Sequence, residues 1–484
     1  MTHTLMNFVP ATPEIILLVI ICATLLVAAF VRANSQACYV IAQAGLVLTA
    51  LSVVHTFIYA DSGMSAMAFR GMFVLDHLAV VLKVLTLVVV FFTLLFSRAY
   101  NNDRDMPRNE YYLLALLSTL GMMILTSAHN LLTIYMGLEL FSLPTFAMVA
   151  IQRQSFRGVE AGLKYCIVSA VGSGLLLYGF SFLFGVSGSL DLNVIAHRIV
   201  MGHVTVDPLL SMALVFVVAG IAFKLGVVPF QMWVPDVYDG APTSTTLFIA
   251  AAPKLAAFAM LVRLLIGAMP SLHANWQVLL IILAILSMAV GNFSAIMQTN
   301  IKRLLAYSSI AHMGYMLLGL IAGTPSGYSA SLFYVMSYAI MTVAGFGVLL
   351  LMNRQGCEVT ELDDLSGLGS RSPWLAFVML LVVFSMAGVP PLLGFIAKVQ
   401  LLEALIHSNY VWLVVLTLLF SVVGMYYYLR IVQRMYFQDA KSDLPAISYR
   451  LDAGVGITIN GLVVLLVGIF PNALYTLALH AFVM

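Results

Sequence analysis

Charge is what this sequence has least of. Asp, Glu, Lys and Arg make up 9% of its 484 residues, against 62% hydrophobic. A soluble domain carries about 25% charged residues, so the chain lacks the polar residues to cover a water-facing surface. An excess of one sign is also missing. The net charge of +2 gives no basis for nucleic-acid binding, and without charge excess or low complexity there is no case for disorder. The four cysteines make no CxxC, with Cys38, Cys166 and Cys357 far apart, so neither a disulfide framework nor a cysteine metal site is supported. There is no Gly-rich dinucleotide loop. What is abundant is long apolar runs, which makes this an all-α polytopic membrane protein.

A helix needs about 20 apolar residues to cross a bilayer core. Cutting at polar and Pro/Gly clusters gives about 14 transmembrane helices, near 12–31, 37–60, 73–97, 110–127, 130–150, 159–186, 209–230, 243–268, 276–297, 301–322, 329–352, 374–406, 411–437 and 450–478. Met1 to Pro10 carries no Lys or Arg, which argues against a cleavable signal peptide. Fourteen of the 22 Lys and Arg fall at loops after odd-numbered spans, including Arg32, Arg354 and Lys441; three, Arg70, Arg198 and Arg263, fall at even ones. The positive-inside rule places the odd loops in the cytoplasm and both termini on the periplasmic side.

The five cations left over are Lys83, Lys164, Lys224, Lys254 and Lys398, all within spans and all lysine. A charge at the bilayer centre costs about 2.5–3.5 kcal/mol on insertion scales, and lysine, unlike arginine, can give up its proton when buried. Lys164 is near enough to a span end to snorkel, and Lys83 can be a structural pair with Asp76. Lys224, Lys254 and Lys398 sit beside helix breakers: Pro229 follows Lys224, Pro253 precedes Lys254, and Pro390-Pro391 precede Lys398. Pro229 releases a carbonyl close to Lys224. Broken helices with a titratable residue are the pattern of an ion pathway.

Glu139 lies mid-span in Gly137-Leu138-Glu139-Leu140-Phe141-Ser142-Leu143-Pro144 and calls for a buried cationic partner. Lys224 is the candidate, as a coupled titrating pair or a static one. His312, amid Tyr307, Ser308, Ser309 and Tyr315, is either a relay or a satisfied core histidine. His77 and His129 lie nearer span ends.

Spans 4–8 and 9–13 resemble each other. Gly121 and Asn130 recur as Gly291 and Asn300, Ala161-x-Leu163-x-Tyr165 as Ala330-x-Leu332-x-Tyr334, and Gly226-Val227-x-Pro229 as Gly388-Val389-x-Pro391. Five helices is an odd number, so adjacent copies have opposite orientations, the inverted-repeat plan of transporters. The organisation expected is three N-terminal helices over 1–109, a first repeat over 110–268, an inverted second repeat over 276–437 and a C-terminal helix over 450–484, with broken helices 7 and 12 equivalent.

Three runs carry a family resemblance. They are Phe223-Lys224-Leu225-Gly226-Val227-Val228-Pro229-Phe230 with Trp233-Val234-Pro235-Asp236-Val237-Tyr238 and Gly240-Ala241-Pro242; Gln298 through His312; and Ala387-Gly388-Val389-Pro390-Pro391-Leu392-Leu393-Gly394-Phe395-Ile396-Ala397-Lys398. Over essentially its whole length the chain resembles the antiporter-like membrane subunits of bacterial respiratory complex I, NADH:quinone oxidoreductase. Lysine at 398 argues against the M type, and an end near residue 484 with no long lateral helix against the L type, which leaves the N type. Gln231 departs from the pattern, since many relatives carry histidine there.

The resemblance implies proton translocation in the bacterial inner membrane. Glu139 and Lys224 would form the first half-channel pair. Lys254 and His312 would continue a hydrophilic axis to Lys398, and Lys164 would match a family lysine in span 6. It further implies no cofactor in this chain. NADH, FMN, iron–sulfur clusters and quinone would belong to partner subunits, and the partners would be M- and L-type and small membrane-arm subunits within the lipid bilayer. Two other readings share this architecture: a subunit of a sodium/proton antiporter, and one of a related membrane-bound hydrogenase complex. A structural scaffold with vestigial channels is a further one.

Overall fold

In lipid every backbone N–H and C=O must be satisfied within the protein, so long apolar runs become helices. A computed structural model describes residues 8–30, 36–59, 66–104, 106–201, 208–353, 358–440, 447 and 449–482. Arg32, Arg354, Cys357 and Lys441 lie outside the described residues.

The chain opens with α1 (Thr12–Phe30) and α2 (Ala37–Tyr59), then a short antiparallel hairpin of β1 (Ala66–Ala68) and β2 (Phe73–Leu75). There follow α3 (His77–Asp103), α4 (Arg108–Ser127), α5 (Leu131–Val149), α6 (Phe156–Ser187), α7 (Leu192–Val200), α8 (Pro208–Leu225), α9 (Trp233–Gly240) and α10 (Thr243–Leu261), which continues as a π-turn to Ala268. The second half holds α11 (His273–Ile296), α12 (Ile301–Ile321), α13 (Pro325–Met352), α14 (Leu368–Arg371), α15 (Pro373–Ala387), α16 (Leu393–His407), α17 (Val411–Phe437), α18 (Leu451–Ile469) and α19 (Asn472–His480).

Thirteen of the described helices are long and apolar enough to cross a membrane. The crossing expected over 374–406 is divided between α15 and α16, each too short alone. Three expected spans differ at their ends. The third starts at His77 because 66–75 pair as a hairpin, the seventh stops at Leu225, and the last breaks before Asn472 at Pro471. Nearly all of α10, α12 and α13 is buried by the surrounding helices, so polar groups on these three are shielded from lipid.

Similar local structure occurs twice, 170 residues apart. Asn130 caps α5 by accepting from Leu132 N at 2.9 Å, and Asn300 caps α12 by accepting from Arg303 N at 3.1 Å. Each cap residue also forms an antiparallel bridge, Asn130 with Asp191 and Asn300 with Glu361. Leu131 N donates to Leu190 O at 2.9 Å, and Ile301 N to Thr360 O at 2.8 Å. A side chain on Gly121 would collide with the backbone of α5 at Phe141 N, and one on Gly291 would meet α12 at Ala311 N, 2.7 Å away. Both helix pairs therefore pack backbone to backbone, which only glycine permits.

Candidate functional site

Both broken helices end in the same way. α8 closes with Gly226 in the left-handed region (φ 73°), and α15 with Gly388 (φ 90°). In the first, Val227 N bonds Ala222 O at 3.1 Å and Gly226 N bonds Phe223 O at 3.1 Å; in the second, Val389 N bonds Phe384 O at 2.9 Å and Gly388 N bonds Ser385 O at 3.0 Å. These are Schellman closures. They leave the carbonyls of Leu225 and Ala387 unclaimed, and the residue four positions on, which would continue the ladder, is Pro229 or Pro391.

A lysine takes each of these carbonyls. Lys254 Nζ donates to Leu225 O at 2.5 Å, and Lys398 Nζ to Ala387 O at 2.9 Å. The negative end of a helix dipole favours an ammonium at this position. The carbonyl freed by Pro229 is that of Leu225, next to Lys224, but Lys224 does not take it: α10 runs unbroken through Pro253 and carries Lys254 to it. Lys254 is thus not beside a break in its own helix but at the break in α8.

Lys224, on the last turn of α8, is buried and turns the other way. Its Nζ donates to Ser142 Oγ on α5 at 3.0 Å and Ser169 Oγ on α6 at 2.7 Å. Glu139, half-buried and one turn before Ser142 on α5, makes no ion pair with Lys224, and its Oε1 is buried without a hydrogen bond. The hydroxyl of Ser142 therefore stands where a direct carboxylate contact was expected. At three residues' spacing Glu139 and Ser142 share one face of α5.

His312, on buried α12, has a tyrosine on each ring nitrogen: Tyr334 OH at 2.7 Å from Nδ1 and Tyr428 OH at 3.0 Å from Nε2. Tyr428 OH also lies 2.5 Å from Ser308 Oγ. Half-buried Lys398 bonds Ser421 Oγ at 2.8 Å and lies 5.1 Å from the Tyr315 ring centre. Lys164 is exposed. It pairs with Glu160 at 2.9 Å and Asp236 at 3.5 Å, and Arg303 meets Asp236 at 2.9 Å. These residues line a polar cleft of about 180 Å³ between α6, α9 and α12.

Lys83 has a different partner from the one expected. It pairs with Glu14 of α1 at 2.6 Å, while Asp76 holds Arg263 through both oxygens at 2.6 and 2.7 Å. Sequence reasoning missed Glu14, Ser142, Ser169, Tyr334, Ser421 and Tyr428. For Ser142 a signal was present, its helical spacing from Glu139. The others come from other helices than the residues they contact.

Residues 128–424 match the family described as "NADH:quinone oxidoreductase/Mrp antiporter, TM". A protein of Coxiella burnetii, "NADH-quinone oxidoreductase subunit N", is 52% identical over 482 residues, with 100% of both chains covered. The chain belongs to the subunit N family of NADH-quinone oxidoreductase. Among solved structures, a chain of respiratory complex I from Thermus thermophilus with bound aureothin superposes with a TM-score of 0.82 at 32% identity, covering 96% of this chain and 99% of that one. A chain of the Mrp complex from Dietzia sp. DQ12-45-1b gives a TM-score of 0.85 at 20% identity, covering 98% and 97%, and shares the fold. This subunit N family member is therefore a multi-pass membrane protein of the antiporter-like type.

Proposed function

We propose that this chain translocates protons in the membrane arm of NADH:quinone oxidoreductase and does no redox chemistry itself. NADH, FMN, the iron–sulfur clusters and quinone belong to other subunits, and electron transfer there drives proton movement here. The observation that carries the reading is the pair of broken helices, each with a lysine ammonium on its freed carbonyl. Membership of the subunit N family favours this over the sodium/proton antiporter reading, for which the Mrp likeness gives the fold alone.

In this reading Lys224, Lys254, His312 and Lys398 carry the protons in that order, Glu139 is the partner whose rearrangement sets Lys224 going, and Lys164 is a further member at the polar cleft. A signal from neighbouring subunits shifts Glu139. The shift reaches Lys224 through Ser142, and Lys224 passes its proton towards Lys254. Each charge moved against the field costs about 2.3 kcal/mol per 100 mV. We further infer two inverted five-helix repeats over 110–268 and 276–437, flanked by 1–109 and 450–484. The paired Schellman closures and paired asparagine caps support this. The setting is the bacterial inner membrane, with both termini periplasmic.

The test is Lys224→Ala in the complete complex, with NADH oxidation and proton uptake measured in inverted membrane vesicles. Proton uptake is expected to fall well below wild type while the complex remains assembled. Wild-type oxidation together with wild-type uptake sinks the assignment.

A further inference from the structure

The partners of His312 have a chemical property that plain packing does not require. A neutral imidazole has one N–H donor and one lone-pair acceptor. A buried structural histidine is satisfied by a backbone carbonyl on the N–H, and a carbonyl, which only accepts, fixes the tautomer. Here both nitrogens meet phenol hydroxyls, and a hydroxyl both donates and accepts. Tyr334 faces Nδ1 at 2.7 Å, Tyr428 faces Nε2 at 3.0 Å, and Ser308 continues from Tyr428 at 2.5 Å. All four side chains are at most 2% exposed. The line crosses from α13 through its neighbour in sequence, α12, to α17, 116 residues from His312 along the chain. Tyr428 and Ser421, seven residues apart on α17, share a helical face about 10 Å apart along its axis, and Ser421 holds Lys398 at 2.8 Å. Tyr428, the α17 member of the line, is therefore about two turns along one helix from the serine that holds Lys398.

We propose that Tyr334 and Tyr428 are proton-relay residues and that, with Ser308, they form a hydroxyl–imidazole–hydroxyl wire through His312 towards Lys398. The proposal rests on the proton-translocating reading above and adds carriers to it. In one passage Tyr334 gives its proton to Nδ1 and takes another from water on the axis. The Nε2 proton moves to the Tyr428 oxygen, whose own proton goes to Ser308, and Ser308 releases its own to water. One proton enters and one leaves. The ring ends with one N–H, now on Nδ1, and rotation of the hydroxyls with return of the tautomer resets the line. His312 passes the proton on; it does not store it.

The experiment uses the complete complex in inverted vesicles, with NADH oxidation and proton uptake followed together. Tyr334→Phe and Tyr428→Phe remove only the hydroxyl, and each is expected to lower coupled uptake by about a hundredfold or more, the scale of losing one positioned proton-transfer group. Tyr338→Phe is the control, since its ring lies 5.3 Å from the His312 ring without a hydrogen bond to it; its uptake is expected to match wild type. Ser308→Ala is expected to lower uptake and Ser308→Thr, which restores a hydroxyl, to recover it, a rescue that mere space-filling does not give. Wild-type uptake in both tyrosine variants, with Lys224→Ala defective, overturns the wire and leaves the lysine reading standing. Wild-type uptake in Lys224→Ala as well means the lysine reading has failed. If both tyrosine variants block assembly while Ser308→Ala pumps normally, the hydroxyls are structural and the wire is overturned.

Discussion

At the residue scale, the question is whether Lys254 and Lys398 are present as charges or as proton carriers. Each ammonium closes a helix end, and a fixed cation does that equally well. Arginine separates the two roles, because it keeps its charge and donors but holds its proton at any working pH. Lys398→Arg is expected to give an assembled complex, with the Ala387 carbonyl still capped, that no longer takes up protons in inverted vesicles. Unchanged uptake in this variant removes Lys398 from the path. Lys398→Met is expected to go further and weaken the subunit itself. It strips the donor from a carbonyl that has no ladder partner, and an unsatisfied buried acceptor costs about 1–3 kcal/mol. The readout is a lower temperature for release of the subunit from the purified complex.

At the scale of the elements, the breaks in α8 and at the α15–α16 junction were legible in the sequence, because glycine followed by proline stops a helix for local reasons. Where the freed carbonyls find their donors was not legible. Lys254 lies 29 residues from Leu225, and only packing of α10 against the end of α8 brings them together. The same holds for Lys83, whose partner Glu14 lies two helices away while Asp76 is nearby in sequence. Serine and tyrosine hydroxyls were harder still to foresee, since they are common in helices and show their role only across an interface. The glycines of the two breaks give a prediction. Alanine at either position takes on the left-handed penalty of about 1–2 kcal/mol, but the surroundings differ. At Gly226 the added carbon would meet Val234 Cγ2 at 2.6 Å, whereas at Gly388 the nearest atoms are Cδ and Nζ of Lys398 at 3.0 and 3.1 Å. Gly226→Ala is therefore expected to destabilise more. Gly388→Ala is expected to push a flexible lysine off its carbonyl and to show mainly as lost proton uptake. Thermal release of the subunit and uptake in vesicles, measured on both variants, check the contrast; equal effects on both readouts refute it.

At the scale of the whole molecule, one carboxylate joins its parts on the side of the odd-numbered loops. Glu358 Oε1 accepts from Thr243 Oγ1 at 2.7 Å and Tyr100 OH at 3.1 Å, and the carboxylate pairs with Lys302 at 3.5 Å and Arg104 at 3.9 Å. These groups come from the end of α3, the start of α10 and the start of α12, that is, from the N-terminal helices and both halves of the bundle. Burial alone raises the Glu358 pKa, but Lys302, Thr243, Arg104 and Tyr100 together outweigh it and hold the group below the ordinary carboxylate value. A carboxyl whose pKa is depressed on folding stabilises fully above its unfolded pKa, about 4.3, and loses that contribution as pH falls through the folded one. The clamp is thus complete at neutral pH and dissolves only in acid. Glu358→Gln is expected to lower the stability of the subunit at neutral pH by about 1–2 kcal/mol, the scale of charge-assisted bonds at a partly exposed site. The gap between wild type and variant is expected to close as pH is lowered below 4, with both measured by thermal release from the purified complex. A gap that stays constant in acid assigns the loss to packing, and the carboxylate would then have no part in holding the two halves together. If the gap closes as expected, the carboxylate charge itself holds the end of α3, the start of α10 and the start of α12 together at neutral pH.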